Sequence, residues 1–539
     1  MVGDPASTTP PESPTPSRPD LPFRHLAVSL ALILLVGFGV RVYLLAAMPI
    51  VARDGVTFIR YARQLRITPI REIRRQRQHP GFPIALAVVH EACERAGLLP
   101  DDDVRRWIIA GQIVAVSAAG VAILGAYALA AALFDRRVGI VAAACMALLP
   151  DFARYSVDVL SDSLHLALFI LAMAAAVTAV QRRSLARFAL AGALSAAAFW
   201  VRPEGAEVAL VASLASLVWP ARPWKRRLAG AAACALAFAV LVAPYVFLTG
   251  HITGKKPLEQ FVNPAAPDPA PCTMLASVPA HDVLADVPWV LRGLGRIVEN
   301  WGRSLRVMYA LPAILWLALR RRRMPPRPGW PLLVAAFVLH SILCLRLLRA
   351  FDYWDLFSVR HVLVLAAMTL PFTAAGLWQI SEFLSHAARW SIPRAAFAVA
   401  LVVVAPTTPW LLRTPNRDDA YLRDAGQWVR EHYPLPQIIL TDRWRVPYYA
   451  DGVFFERWQD GQCVRWPGTA DAQELAGWVL RWKPDLVALD EPRLLRQNPA
   501  FFLDLERLAI EPGLLRYVHT ATQRSNHVRR AVRIYEVPR

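Results

Sequence analysis

The residues best able to do chemistry lie in short groups at the edges of long apolar runs. Asp54 stands a few residues beyond the first run, in Arg53-Asp54-Gly55-Val56-Thr57-Phe58-Ile59-Arg60-Tyr61. A carboxylate there could deprotonate an acceptor hydroxyl as general base, with Gly55 allowing close backbone approach to a ligand. Asp ahead of an amphipathic stretch also fits a helix start. Seven arginines against one acid, Glu72, lie between Arg60 and Arg77. That density suits phosphate, which guanidinium grips bidentately, or an amphipathic helix resting on anionic lipid. In Gln78-His79-Pro80-Gly81-Phe82-Pro83, His79 either contacts phosphate or acceptor or completes a rigid turn. Asp158, Asp162 and His165 follow at spacings of four and three, so on one helix they would share a face. They could bind a divalent metal or hold substrate hydroxyls, and Asp162 before Ser163 also reads as a helix start. Arg202-Pro203-Glu204-Gly205 offers a phosphate clamp by Arg202 or an internal ion pair with Glu204. Asp352-Tyr353-Trp354-Asp355 and Ser358-Val359-Arg360-His361 flank a late apolar run. Arg360 or His361 could stabilise a phosphate leaving group, or snorkel to the membrane interface.

The elements that must position these groups are membrane helices. Of 539 residues, 56% are hydrophobic and 19% charged, and the mean hydropathy is +0.34, which excludes a string of soluble domains. The net charge of +19 would suit nucleic acid. Lys and Arg sit between apolar runs rather than on one polar face, so nucleic acid is not an expected partner. About eleven runs approach the length needed to cross a ~30 Å hydrocarbon core, from Leu26 to Ala47 at the start to Ala395 to Leu412 at the end. Val138 to Leu149 and Leu305 to Leu319 are the short ones. With the N-terminus cytoplasmic, the tail and alternate loops carry 18 basic residues against five acids, as the positive-inside rule requires.

Residues 1–24 hold seven prolines and read as a disordered cytoplasmic tail. The membrane domain then spans 25–412, with a long first outer loop at 49–106. From 413 to 539 strand-like runs (Ile438-Ile439-Leu440, Asp485 to Asp490, Val532 to Val537) alternate with amphipathic ones (Asp471 to Trp482, Ala500 to Ile510). The expected fold is therefore mainly α, a polytopic bundle with a small extracytoplasmic α/β domain. That domain has no glycine-rich loop after its first strand to cradle a nucleotide. Six scattered cysteines exclude a zinc fold or a dense disulfide framework. The expected location is multi-pass in the cell's inner (plasma) membrane, in contact with its lipids.

Taken in order, several of these groups resemble the GT-C superfamily of membrane glycosyltransferases. The likeness is to the branch holding the protein O-mannosyltransferases and lipid A aminoarabinose transferases, glycosyltransferase family 39-like. It rests on Arg41-Val42-Tyr43-Leu44, Asp54, His79-Pro80, Ser161-Asp162-Ser163-Leu164, Arg202-Pro203-Glu204-Gly205 and Ser358-Val359-Arg360-His361, and covers Leu26 to Leu412. The resemblance implies inverting transfer of a sugar from a polyprenyl-phosphate carrier to a lipid, glycan or protein hydroxyl on the outer face. It matches Asp54 to the family's base. Arg202 and Arg360 are then expected to contact phosphate, and Asp162 and His79 to position substrate, with Glu204, His361, Asp158 and His165 beside them. Many relatives carry a second acid directly after the first, and here Gly55 stands there. No cofactor follows firmly, and a divalent metal is one option. The competing expectation is a transporter or flippase of lipid-linked sugars, although no repeated halves are visible.

Overall fold

A computed structural model describes residues 22–218, 223–254, 288–319, 327–351, 357–434, 437–450, 453–454, 457–459, 462–464, 469–525 and 528–538. Residues 1–21 of the expected tail, the arginines at 320–323 and the Asp352 to Asp355 group lie outside them.

Each expected apolar run is helical. In chain order the helices are α1 (Phe23–Ala47), α2 (Arg53–Ile67), α3 (Pro69–Arg75), α4 (Gly81–Arg95), α5 (Asp103–Leu133), α6 (Arg136–Leu148), α7 (Pro150–Tyr155) and α8 (Asp162–Arg182). They continue as α9 (Leu185–Val201), α10 (Ala206–Val218), α11 (Trp224–Thr249), α12 (Trp289–Leu319), α13 (Trp330–Phe351), α14 (Leu363–Ala387) and α15 (Ile392–Leu411). Among the described residues seven helical segments are long and apolar enough to cross a membrane by themselves. At 13, 17 and 13 residues, α6, α9 and α10 are shorter than a ~30 Å core requires at 1.5 Å per residue. α12 breaks at Arg306, whose backbone is left-handed (φ 54°), and this divides an amphipathic first half from the apolar run expected at Leu305 to Leu319.

Local chemistry sets the ends. Asp102 accepts from the N–H groups of Val104 and Arg105, Asp135 from those of Arg137 and Val138, and Ser184 from that of Arg187. These satisfy donors that a helix start leaves free. Glycine lets helices touch where side chains would collide. A Cβ at Gly192 of α9 would lie 2.1 Å from the Cys234 carbonyl oxygen of α11, and one at Gly376 of α14 would lie 2.0 Å from that of Pro312 in α12. The apolar windows of α8 and of Val359–Ala387 are 78% and 83% buried, whereas those of α1 and α15 are 17% and 22% buried. The first pair is the centre of the bundle and the second presents its flanks outward.

Contacts between side chains gather the helix ends into two faces. One carries the basic ends, where Gln181 donates to the carbonyls of Ala132 and Pro328 and Arg137 lies over Trp378. The other carries the starts of α2, α5 and α8 and the end of α9. Beyond Leu411, α16 (Ala420–His432) and a five-stranded sheet cover this second face. Its strands are β1 (Ile438–Thr441), β2 (Val453–Phe454), β5 (Leu486–Asp490), β6 (Arg516–Ser525) and β7 (Val528–Glu536), in the order β2-β1-β5-β7-β6. β1 is parallel to β2 and β5, and the rest pair antiparallel. A separate hairpin joins β3 (Arg457–Gln459) to β4 (Gln462–Val464). Ile50 and Val56 from the first loop and Trp107 of α5 share one apolar core with Tyr421, Val446 and Ile534. The N–H of Val51 donates to Tyr449 Oη at 3.1 Å, and Tyr448 Oη donates to the Val104 carbonyl at 3.1 Å.

Candidate active site

Four separate chain segments deliver one line of alternating charge. Asp54 sits in the first turn of α2, which packs tightly on the segment before α8: a Cβ at Gly55 would meet the Val159 carbonyl oxygen at 3.0 Å. That close approach accounts for the glycine at this position. Arg360 lies in a 3-10 turn, Val359–Val362, ahead of α14. Its Nη1 donates to Asp54 Oδ2 at 2.7 Å, and its Nε and Nη2 donate to Asp162 Oδ2 at 3.1 and 2.9 Å. Asp162, the first residue of α8, accepts on Oδ1 from Arg202 Nη1 at 2.7 Å. Arg202 caps the end of α9 in an extended conformation ahead of Pro203, and its Nε lies 3.6 Å from Glu204 Oε2. The order is thus Asp54, Arg360, Asp162, Arg202, Glu204, acid and base in turn. Asp162 is buried, with a side chain 3% exposed, whereas that of Asp54 is 45% exposed. Asp54 is the end of the line that meets solvent or substrate.

A second pair, not singled out from sequence, holds the Arg360 turn. His340 of α13 has Nδ1 2.9 Å from Glu207 Oε1 of α10 and Nε2 2.9 Å from the His361 carbonyl oxygen. Both side chains are buried. The signal in the sequence was an ionisable group inside each of two apolar runs, where such groups are costly. His361 turns its ring back on its own turn: Nδ1 accepts from the Ser358 N–H at 3.2 Å and the ring stacks on Phe357. It shapes the turn that carries Arg360 instead of facing the carboxylates.

The other expected site residues separate. Asp158 does not share a helix face with Asp162, because α8 begins only at Asp162. Its carboxylate accepts from the N–H groups of Ala52 (3.0 Å) and Val159 (2.8 Å) and from Asn416 Nδ2 (2.7 Å). It therefore pins the chain two residues before Asp54. Burial pushes the Asp158 carboxyl above the ordinary range, against the pull of those hydrogen bonds. His165, one turn into α8, packs against Phe169, and its buried Nε2 has no hydrogen-bond partner among the described residues. His79 is set apart in an aromatic pocket, Nε2 3.0 Å from Thr253 Oγ1, stacked on Tyr245 and edge-on to Phe199. The first-loop arginines are largely committed: Arg63 pairs with Asp103, Arg66 with Glu91 at 2.7 Å, and Arg74 donates to the Leu248 carbonyl at 3.1 Å. Acids of α4 and α5 neutralise Arg63 and Arg66.

For a divalent metal the arrangement is a poor fit. Among the described residues no three His, Cys, Asp or Glu side chains converge on one point. The Arg360 guanidinium fills the space between Asp54 and Asp162 that a cation would take.

Comparison with known proteins defines the class. Residues 104–247 match the family model described as dolichyl-phosphate-mannose-protein mannosyltransferase. A search of curated proteins finds no match. Solved structures share the fold over nearly the whole chain. The archaeal oligosaccharyltransferase AglB from Archaeoglobus fulgidus, in complex with an inhibitory peptide and a dolichol-phosphate, is 13% identical with a TM-score of 0.58; the match covers 92% of this chain and 73% of that one. ArnT from Cupriavidus metallidurans is 12% identical in both its apo state and its undecaprenyl phosphate complex, with TM-scores of 0.57 and 0.55. Both matches cover 95% of this chain and 98% of ArnT. The chain is a multi-pass helical membrane protein that shares the fold of these two transferases.

Proposed function

We propose that the chain transfers a sugar from a polyprenyl-phosphate carrier to a hydroxyl acceptor, with inversion, at the extracytoplasmic face of the plasma (inner) membrane, and that Asp54 is the general base. The carrying observation is the asymmetry of the charge line. Asp162 is buried and held on both oxygens, while Asp54 is bound on Oδ2 alone and is half exposed.

Asp54 takes the proton of the acceptor hydroxyl as that oxygen bonds to the anomeric carbon. The bond from that carbon to the carrier phosphate breaks, its electron pair leaving with the phosphate oxygen. A single displacement of this kind inverts the carbon. Hydrolysis of an ordinary glycoside needs an acid to protonate a poor alkoxide leaving group; a lipid phosphate leaves as a stable anion. Fixed positive charge then suffices in place of an acid, and Arg202 and Arg360 supply it beside the carboxylates. The bound dolichol-phosphate and undecaprenyl phosphate of the two similar enzymes favour such a carrier. The basic helix ends gathered on the face opposite Asp54 support this sidedness, since the positive-inside rule favours them on the cytoplasmic side. On this reading the N-terminus is cytoplasmic and the sheet domain is outside.

The test is release of undecaprenyl phosphate from undecaprenyl-phosphate-linked sugars by the purified full chain, with a membrane extract as acceptor source. Asp54→Asn should lower transfer by about 10²–10⁴-fold, the worth of a general base, with undecaprenyl phosphate still bound. Transfer at the native rate would remove Asp54 as base. Donor binding without turnover by the native protein would favour a flippase.

A further inference from the structure

On the same face as Asp54, a cavity of about 670 Å³ opens between the bundle and the outer domain. Five arginines line it: Arg154 of α7, Arg413 and Arg417 just after α15, and Arg524 and Arg530 of the β6–β7 hairpin. Only two acids join them, Asp418 and Asp419. Asp419 is already held by Arg445 at 2.9 Å and Arg530 at 3.4 Å. Among the described residues the side chains of Arg413, Arg417 and Arg524 make no hydrogen bond or ion pair, whereas Arg154 pairs through Nη1 with Asp151 at 3.6 Å and only its buried Nε has no hydrogen-bond partner. Arg154 and Arg530 are paired, and the three further guanidinium groups of Arg413, Arg417 and Arg524 leave the concave site an excess of positive charge, which phosphate matches best.

The membrane side of the cavity is apolar. Tyr43, Pro409 and Leu412 form it, at the ends of α1 and α15, two helices with largely open flanks. An occupant must then combine an anionic head with an apolar tail, and it arrives from the bilayer. The cavity also adjoins the site. Its wall residue Asn416 donates to Asp158 and to the Ile50 carbonyl, and Asp158 in turn holds the Ala52 N–H, two residues from Asp54.

We propose that this arginine-lined cavity binds the phosphate-bearing headgroup of a membrane lipid and so presents a lipid-borne acceptor to Asp54. The binding claim stands alone; the word acceptor rests on the function proposed above. The probe is phosphatidic acid, titrated into the full chain in phosphatidylcholine nanodiscs and read by native mass spectrometry. Arg417→Gln/Arg524→Gln changes two exposed side chains that make no hydrogen bond or ion pair among the described residues, so folding is preserved. Each lost guanidinium contact should weaken phosphatidic acid binding by roughly tenfold, while undecaprenyl phosphate binding, expected at Arg202 and Arg360, stays unchanged. Arg202→Gln should do the reverse. Unchanged phosphatidic acid binding in the double variant overturns the proposal, and so does full displacement by millimolar inorganic phosphate, which would mark a water-facing phosphate site. If undecaprenyl phosphate fails to bind while the double variant still loses phosphatidic acid, the headgroup site stands and the transferase mechanism falls.

Discussion

Arg360→Lys separates the charge of Arg360 from its shape. Three of its N–H groups meet carboxylate oxygens, one on Asp54 and two on Asp162, at 2.7 to 3.1 Å. A lysine keeps the charge but has one compact ammonium, which reaches one carboxylate at a time. Charge-assisted hydrogen bonds contribute about 1.5–3 kcal/mol each. With one or two lost and some Coulomb attraction retained, about 2–3 kcal/mol of orientation should disappear, or roughly 30- to 150-fold in kcat/KM. Asp162 keeps Arg202 at 2.7 Å, so it is not left as a lone buried charge and thermal unfolding in detergent should move little. Arg360→Gln removes the charge too and should destabilise more, towards the ~3–5 kcal/mol of a broken buried pair. The assay is undecaprenyl phosphate release with unfolding followed in parallel. Native kcat/KM in the lysine variant would show that the fork does not orient Asp54 and would refute the reasoning.

Other outcomes follow from the same geometry. His340→Leu strands the Glu207 carboxylate in the bundle and should cost about 3–5 kcal/mol; adding Glu207→Leu should restore the unfolding temperature while transfer stays impaired, since the tether to the His361 carbonyl is gone. Gly376→Val drives a Cβ towards the Pro312 carbonyl oxygen, 2.0 Å away, and should lower stability by about 1–3 kcal/mol or more, whereas Gly477→Ala, with open space around its Cβ position, should raise it by about 0.5–1 kcal/mol. Burial alone would raise the Asp102 carboxyl, but hydrogen bonds from Arg430 and the α5 backbone bring it below the ordinary range. A depressed carboxylate stabilises in full above its unfolded value and loses that contribution as pH falls through the folded one. Hydrogen-exchange protection at the start of α5 and along α16 should therefore fall below about pH 4, and equal protection at pH 7 and pH 3 would count against the Asp102–Arg430 tether.

Much of the bundle was legible in sequence because its signal is local. A run such as Leu26 to Ala47 or Ser163 to Val180 must satisfy its own backbone in hydrocarbon, and only a helix does so within one segment. The α/β character beyond Leu411 was legible in β1, β5 and the amphipathic stretch at Asp471 to Trp482. The long β6 strand was missed: Arg516 to Ser525 alternates weakly and is held by its pairing with β7.

Residue types and order along the chain determined which groups were candidates: Asp54, Asp162, Arg202 and Arg360 stand at the ends of apolar runs, where ionisable side chains are conspicuous. Only the tertiary structure decided which of them meet. Asp54 and Arg360 are 306 positions apart, and their contact depends on how α2, α8, α9 and α14 pack, on the glycine at 55 and on the Glu207–His340 brace. By the same packing His79 went to an aromatic pocket, Asp158 to the backbone before Asp54, and Arg63 and Arg66 to the acids of α4 and α5. Spacing along a chain reports neighbours within one helix. Charge pairs between helices are set by which side chains the packed bundle removes from water, and burial forces those to find partners wherever in the chain they lie.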